Sequence, residues 1–324
     1  MRGLFFKEFG KPTAVLSFGT LTKPSIKNDQ VLIKMLASPV NPSDVNQIEG
    51  VYPVKPFQDN DLFVPGNEGS GEIVQTGSDI KDLKEGDRVI FAAYAKGTWR
   101  EYVSATRQQI FKIDPKLDPK YAAILSVNPC SAYRMLNDFG TNKVLIQNAA
   151  NSNVGRMVIQ MAKLQGIQTI NIVRDREDIT ALKDELKGLG ADFVFTEEEL
   201  ATRETSELIR ELKPSLALNA VGGVSATNIS KCLDENGQMV SYGAMGKQPI
   251  QLPVSLLIFK NIQFKGFWMT QWTKEHNYEE KREMIRKIAA LVIEGKLQFP
   301  TTREYSLENY EQAFEKGDKA VFTF

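Results

Sequence analysis

Residues 143–155 read KVLIQNAANSNVG, and residues 167–178 read IQTINIVRDRED. The first opens with a short apolar run, 143–147, of the kind that forms a buried strand. Val154, Val158, Met161 and Gln165 follow at helical spacing, and 167–173 is a second apolar strand. Strand, small-residue turn, helix, strand is a βαβ unit, and the pattern continues downstream. Ile179, Leu182, Leu186 and Leu189 stripe one helix face, with Gly190 placed as its stop. Next come ADFVF from Ala191, a helix through SELIREL, the strand LALNAV from Leu216 and a helix around Ser225 to Leu233. The strands QMVSYG from Gln238 and IQFKGFW from Ile262 close the series. Six strands alternating with helices predict a doubly wound parallel sheet, an α/β fold whose ligand lies at the carboxyl ends of the strands.

The first 110 residues have a different grain. Short strands (VLIKML from Val31, EGSGEIVQTG from Glu68, DRVIFAA from Asp87, EYVSA from Glu101) are separated by Gly and Pro, which predicts an all-β, barrel-like unit. Residues 38–65 carry five prolines and no clear period, and read as a long loop of the kind that often serves function. The last stretch holds one strong helix, EKREMIRKIAALVIEG, and a terminal strand, KAVFTF, which return to complete the first domain. The expected division is 1–120 with 277–324 as one domain and 121–276 as the other.

Bulk properties narrow the function. The chain has 324 residues, more than one core usually serves, and 42% apolar residues suffice for two. Lys+Arg and Asp+Glu both number 40, so no global charge recruits nucleic acid or an anionic membrane. The most apolar stretch, Leu252 to Phe259, is far shorter than the roughly 20 residues that span a bilayer. The amino-terminal MRGLFFKEFGKP has neither a secretory core nor transit-peptide character. It predicts a cytoplasmic chain, or a mitochondrial-matrix one if a presequence has been removed. Cys130, Cys232 and the single His276 are too few for a zinc site, so no metal is expected and the thiols read as reduced.

Two readings fit the turn Asn148-Ala149-Ala150-Asn151-Ser152-Asn153-Val154-Gly155. It is either an ordinary strand-to-helix connection, or a place where backbone amides approach a pyrophosphate at a helix start. It lacks the full Gly-x-Gly-x-x-Gly pattern, and Asn153 stands where a glycine would turn more easily. At the end of the second strand stand Arg174-Asp175-Arg176. They form either a solvated cluster with Glu177 and Asp178, or a seat for the 2′-phosphate that distinguishes NADPH from NADH.

The motifs NPSDVNQIEGVYPVKP (41–56), PGNEGSGEIVQTG (65–77), VNPCSAYRML (127–136), QNAANSNVG (147–155), VRDRED (173–178), LNAVGG (218–223), SYGAMGKQP (241–249) and FKGFWMTQW (264–272) span nearly the whole chain. In this order they resemble the mitochondrial-type 2-enoyl thioester reductases, zinc-free members of the medium-chain dehydrogenase/reductase superfamily. The resemblance implies a six-stranded Rossmann sheet beside a GroES-like catalytic domain. It also implies NADPH-dependent reduction of the C2–C3 double bond of trans-2-enoyl thioesters carried on coenzyme A or acyl carrier protein. By the same resemblance Tyr52 is catalytic, Arg174, Asp175 and Arg176 meet the 2′-phosphate region, and Asn128, Asn151, Ser152, Asn153 and Val154 line the cofactor. Tyr242, Gly243, Ala244, Met245, Phe267, Trp268, Met269 and Lys319 complete that lining, and the assembly is a homodimer. Zinc-dependent relatives carry Gly-His-Glu where this chain has Gly66-Asn67-Glu68, and a cysteine near Asn41.

With no metal and one histidine, a hydroxyl is the natural acid for the proton that completes such a reduction. Trp268 reads either as core packing or as a wall of the cofactor and acyl pocket. Lys281, Arg282, Arg286 and Lys287 read either as a surface that steers an acidic carrier or as a helix face balanced by Glu279, Glu280 and Glu283. The competing functions are a quinone or general enone reductase on the same scaffold, and a catalytically silent NADPH-binding protein.

Overall fold

The computed structural model describes residues 1–92, 96–315, 317 and 319–324, which divide into two units, Met1–Val127 with Thr270–Phe324 and Asn128–Met269. The first unit begins with strands β1 (Arg2–Phe5), β2 (Ser17–Thr20), β3 (Gln30–Pro39), β4 (Phe57–Asp59), β5 (Leu62–Val64), β6 (Ser70–Thr76), β7 (Arg88–Phe91), β8 (Tyr102–Thr106) and β9 (Ile110–Lys112). The second carries β10 (Val144–Gln147), β11 (Gln168–Val173), β12 (Phe193–Thr196), β13 (Leu216–Asn219), β14 (Gln238–Ser241) and β15 (Gln263–Gly266). The chain then returns with β16 (Thr302–Tyr305) and β17 (Lys319–Thr323).

In the second unit all six strands are parallel in the order β12-β11-β10-β13-β14-β15, the doubly wound arrangement read from 143–178. Ile146, Ile170, Ile172 and Ala217 from the central strands are fully buried against Ala226, Ile229 and Leu233. Strands covered on both faces bury apolar side chains on both sides, which is why stretches such as Val144–Ile146 and Leu216–Leu218 read as runs rather than alternations. The polar residues buried among them, Gln147, Thr169, Asn171 and Asn219, are hydrogen-bonded to one another or to neighbouring groups. Gly190 ends the Ile179–Leu189 helix in the left-handed conformation (φ 110°), as its place in the sequence predicts.

The first unit is built on β3. Its ten residues pair with β6 along one edge, while β8 and β17 share the other. Register shifts at Leu32/Ile33 and Met35/Ala37 bend β3 enough for two partners to divide one edge. The result is a seven-stranded sheet with two small hairpins, β1–β2 and β4–β5. Val31, Ile33, Met35, Ile73, Val89 and Val103 fill one face. On the other, fully buried Trp99 donates from Nε1 to Pro39 O (3.2 Å) and packs edge-on against Phe322. Truncating a side chain so placed typically costs about 3–5 kcal/mol.

Two expectations change here. The division falls at 127/128 and 269/270, not at 120/121 and 276/277. The Pro119–Ala123 helix keeps the chain in the first unit: Ala123 and Ile124 pack on Ala37 and Val321, and Tyr121 stacks on Phe299 at 5.3 Å. The segment 38–65 is also no structureless loop, since it holds the Pro42–Ile48 helix and the β4–β5 hairpin. Asn41 at the N-cap, Pro42 at the first turn and Asp44, whose Oδ2 accepts from Asn41 N (2.8 Å), start that helix.

Candidate active site

In the second unit the site is made by the segments that leave the strand ends. β10 ends at Gln147, and Asn148 ties it to β13: Asn148 Nδ2 donates to Asn219 Oδ1 (2.8 Å), and Asn148 Oδ1 accepts from Ala220 N (2.8 Å). Asn219 Oδ1 also takes the amides of Val221 and Gly222, and Asn219 Nδ2 reaches Ser241 Oγ (3.0 Å). Three strand ends are thereby laced together through two asparagines. The left-handed residue of the turn is Ala149 (φ 48°), whereas Asn153 is the first residue of the Asn153–Leu164 helix and needs no special backbone. Ser152 caps that helix, its Oγ accepting from Gly155 N (3.1 Å). Gly155 is the glycine this turn requires, because a Cβ there would stand 2.5 Å from Ala150 O. Arg156, absent from the expected set, donates from Nε to Asn151 O (2.9 Å) and pairs with Glu185.

After β11, residues Arg174 to Asp178 line an open hollow of about 470 Å³. Arg176 Nε is buried without a hydrogen-bond partner, and among the described residues no ion pair takes up Arg174 or Arg176. Neither arginine is neutralised by Asp175, Glu177 or Asp178, so both guanidinium groups are available to an anion. After β14, Tyr242 places its hydroxyl in a buried position beside Ser152, and burial raises its pKa, so it stays protonated as a donor. Met245 N bonds Ala220 O (2.9 Å), and a Cβ at Gly243 would come within 2.9 Å of the same oxygen. After β15, Phe267 N bonds Ser241 O (2.9 Å) and its ring meets Phe139 edge-on. The turn 148–155, Arg174–Arg176, Tyr242–Met245 and Phe267–Met269 thus all lie just past the carboxyl ends of neighbouring strands, while Asn128 opens the Asn128–Asp138 helix of the same unit.

Tyr52 belongs to the first unit and is half-buried just past the Pro42–Ile48 helix. Its amide and that of Val51 both donate to Asn46 O (3.2 and 2.9 Å), a hook made possible by Gly50 at φ 77°. Below the hook lies a buried polar cluster. Asn67 Nδ2 donates to Asp44 Oδ1 (2.6 Å) and to Gln47 Oε1 (2.7 Å), and Asn41 Nδ2 to Glu68 Oε1 (2.8 Å). Lys319 Nζ donates to Val40 O (2.8 Å) and to Asn41 Oδ1. The resemblance places Lys319 on the cofactor; here two of its three donors are committed within the first unit.

Burial lifts the Asp44 carboxyl from 3.8 to about 7, against the pull of the Asn41 amide and Lys319. A folded-state value above the unfolded one means that the native chain keeps a proton the unfolded chain releases. The associated stability is full below the unfolded value of 3.8 and is lost as pH rises to about 7. Burial also raises Glu68, with the same sign. Melting temperature is therefore expected to decline across that window, and Asp44→Asn to flatten part of the decline. An unaltered slope in the variant would discard Asp44 as its source.

Residues 27–115 match the family described as alcohol dehydrogenase GroES-like domain, and residues 153–290 the one described as zinc-binding dehydrogenase. The mitochondrial enoyl-[acyl-carrier-protein] reductase of Mus musculus is 43% identical over 98% of this chain and 86% of its own length. The chain belongs to the mitochondrial enoyl-[acyl-carrier-protein] reductase family. The 2-enoyl thioester reductase Etr1p of Candida tropicalis, solved as a heterodimer with Etr2p, covers all of this chain and 99% of its own at 34% identity and a TM-score of 0.93. In its complex with NADP and crotonyl-CoA the TM-score is 0.92. A structure described as a putative NADPH:quinone reductase from Bacillus thuringiensis is similar at 25% identity over 100% of this chain and 98% of its own, with a TM-score of 0.88.

The zinc in one family description does not suit this member. Where zinc relatives place a histidine and a cysteine, this reductase has the amides of Asn67 and Asn41, both engaged in hydrogen bonds with Asp44, Gln47, Glu68 or Lys319. Carboxamides are not the thiolate and imidazole donors that zinc takes in these sites, and both are already committed to hydrogen bonds. Cys130 is buried and Cys232 half-buried, both free thiols, and His276 stacks on Trp272 at 3.9 Å. The relatives are named as mitochondrial, which lends no support to a cytoplasmic address. Among the described residues no helix is long and apolar enough to cross a membrane.

Proposed function

We propose that this chain reduces the C2–C3 double bond of trans-2-enoyl thioesters with NADPH, and that Tyr52 supplies the proton. The observation that carries the reading is the near full-length identity to the enoyl-[acyl-carrier-protein] reductases, joined to an arginine pair held free of its acidic neighbours after β11. The chain fits the cofactor on two features: the unpartnered Arg176 Nε, and the Gly155 approach that a side chain would fill. NADPH, when bound, supplies hydride to Cβ of the substrate.

The rest falls to side chains. Arg174 and Arg176 take the 2′-phosphate, with Asp175 between them. The amides of Asn153 and Val154, at a helix start, take the pyrophosphate beside Asn151 and Ser152. Tyr242, Gly243, Ala244, Met245, Phe267, Trp268, Met269 and Asn128 shape the cofactor and acyl site. The Tyr52 hydroxyl hydrogen-bonds the reacting thioester region and delivers a proton to Cα, directly or through water, as the enolate-like charge collapses. Crotonyl-CoA and a quinone compared at equal concentration with NADPH test the reading, because the quinone reductase of similar fold makes the rival concrete. Preference for crotonyl-CoA is expected, and a preference for the quinone would reverse the assignment.

The acyl group arrives on coenzyme A or on a carrier protein. On the Tyr278–Ile293 helix Arg282 pairs with Glu279, and Arg286 and Lys287 pair with Glu283, which supports the balanced helix face at those three, whereas Lys281 is in no ion pair among the described residues. The assembly we propose is a homodimer. Among the described residues β15 pairs only with β14, which leaves an open sheet edge, and in the segment just before it Val254, Leu257, Ile258 and Phe259 are exposed. A second copy meeting this edge by a two-fold axis covers both. Ile258→Asp with Phe259→Asp is expected to shift the sedimentation coefficient from dimer to monomer; a native protein that sediments as a monomer would refute the interface.

A further inference from the structure

We infer that Gln47 is a positioning residue for Tyr52, tying the tyrosine's loop to the buried polar cluster. The inference rests on the reading of Tyr52 as the proton donor. In the segment 51–55, Val51, Pro53 and Lys55 are exposed, and Tyr52 and Val54 are half-buried. Two consecutive helix residues hydrogen-bond to it. Asn46 O accepts from the Tyr52 amide (3.2 Å), and Gln47 Nε2 donates to Val54 O (3.0 Å), so the tyrosine is fastened on both sides. Gln47 itself is 1% exposed, and its Oε1 is fixed by Asn67 Nδ2 (2.7 Å), which also grips Asp44 (2.6 Å). The carboxamide is thus oriented at its oxygen end by the core and passes that orientation through its nitrogen to the loop.

Gln47→Met keeps the length and apolar stem of the side chain and removes both hydrogen-bonding ends. Loosening a reacting group by a fraction of an ångström costs rate and not cofactor binding, so kcat on crotonyl-CoA is expected to fall by about tenfold. NADPH affinity should hold, since the arginines and the turn belong to the other unit. The decisive comparison is a cycle with Tyr52→Phe. If Gln47 acts through the tyrosine hydroxyl, adding Gln47→Met to Tyr52→Phe lowers kcat no further. Multiplicative losses in the double variant, or full kcat in Gln47→Met while Tyr52→Phe is impaired, would overturn the positioning role and leave the Tyr52 reading intact. A Tyr52→Phe enzyme of full activity would overturn both, so the two failures are told apart. A melting curve and an NADPH titration on each variant exclude a folding loss as the source of the tenfold effect.

Discussion

Tyr52→Phe is expected to lower kcat on crotonyl-CoA by roughly 100-fold or more, within the range of about 100- to 10,000-fold typical of general acids. The substitution removes one oxygen. The ring that helps shape the pocket stays, the amide bond to Asn46 O is made by the backbone, and Val54 O remains held by Gln47. Neither of these anchors depends on the hydroxyl, so melting temperature and NADPH affinity should be nearly unaffected. A fall in kcat with intact NADPH binding locates the loss in the proton step. A fall in both would point to a displaced loop, and the Gln47 variant supplies the reference for that case. Unchanged kcat with intact cofactor binding would remove Tyr52 from the chemistry and leave the proton to another hydroxyl or to water.

The sheet is legible because its strands are buried on both faces. Runs such as 144–146 and 216–218 are wholly apolar and 170–173 nearly so, and the helices between them carry one apolar stripe each, so hydrophobic period separates the two. The Pro42–Ile48 helix defeats that test. The side chains it buries are Asp44, Gln47 and Ile48, two of them polar, so no apolar stripe marks it. Its capping residues are the available signal: Asn41, Pro42 and Asp44 spell a helix start that a search for apolar period passes over. The domain boundary is hidden for a related reason. Ala123 and Ile124 form too short an apolar patch to reveal which core they join, and only the contact with Ala37 and Val321 decides it.

Within the site, residues that act by chemical type are easier to read than residues that act by position. Arg174 and Arg176 stand out because two guanidinium groups after a βαβ strand have a specific use. Asn153 reads as the strained member of the turn because asparagine tolerates positive φ. The structure gives that conformation to Ala149 instead, where the strand end is pinned by Asn148 and Asn219. The buried network of Asn41, Asp44, Gln47, Asn67, Glu68 and Lys319 joins residues up to 278 positions apart. Each looks like an ordinary surface residue in the sequence, and their shared burial is a property of the sheet that brings β3, β17 and residues 67–68 together.

Loss of the two arginines gives the second large effect expected. A hydrogen bond to a charged group contributes roughly 1.5–3 kcal/mol, so Arg174→Ala and Arg176→Ala should each weaken NADPH binding by about tenfold or more. The two side chains lie two positions apart and line one hollow, so under this assignment they share one phosphate. Their effects need not add, yet the double variant should lose most of the NADPH preference, with NADH affinity barely changed because it lacks the phosphate. The partial burial of Arg176 makes it the more damaging of the two: its Nε has no protein partner to release, so the whole interaction with phosphate is forfeited. Salt offers an independent check. Arg174 is exposed, so its share of the attraction is screened as ionic strength rises, whereas the Arg176 share is screened less. The salt dependence of NADPH affinity should therefore flatten more in Arg174→Ala than in Arg176→Ala. If each single variant keeps the NADPH/NADH ratio of the native chain, the 2′-phosphate does not sit on this pair, and the arginines revert to a surface cluster.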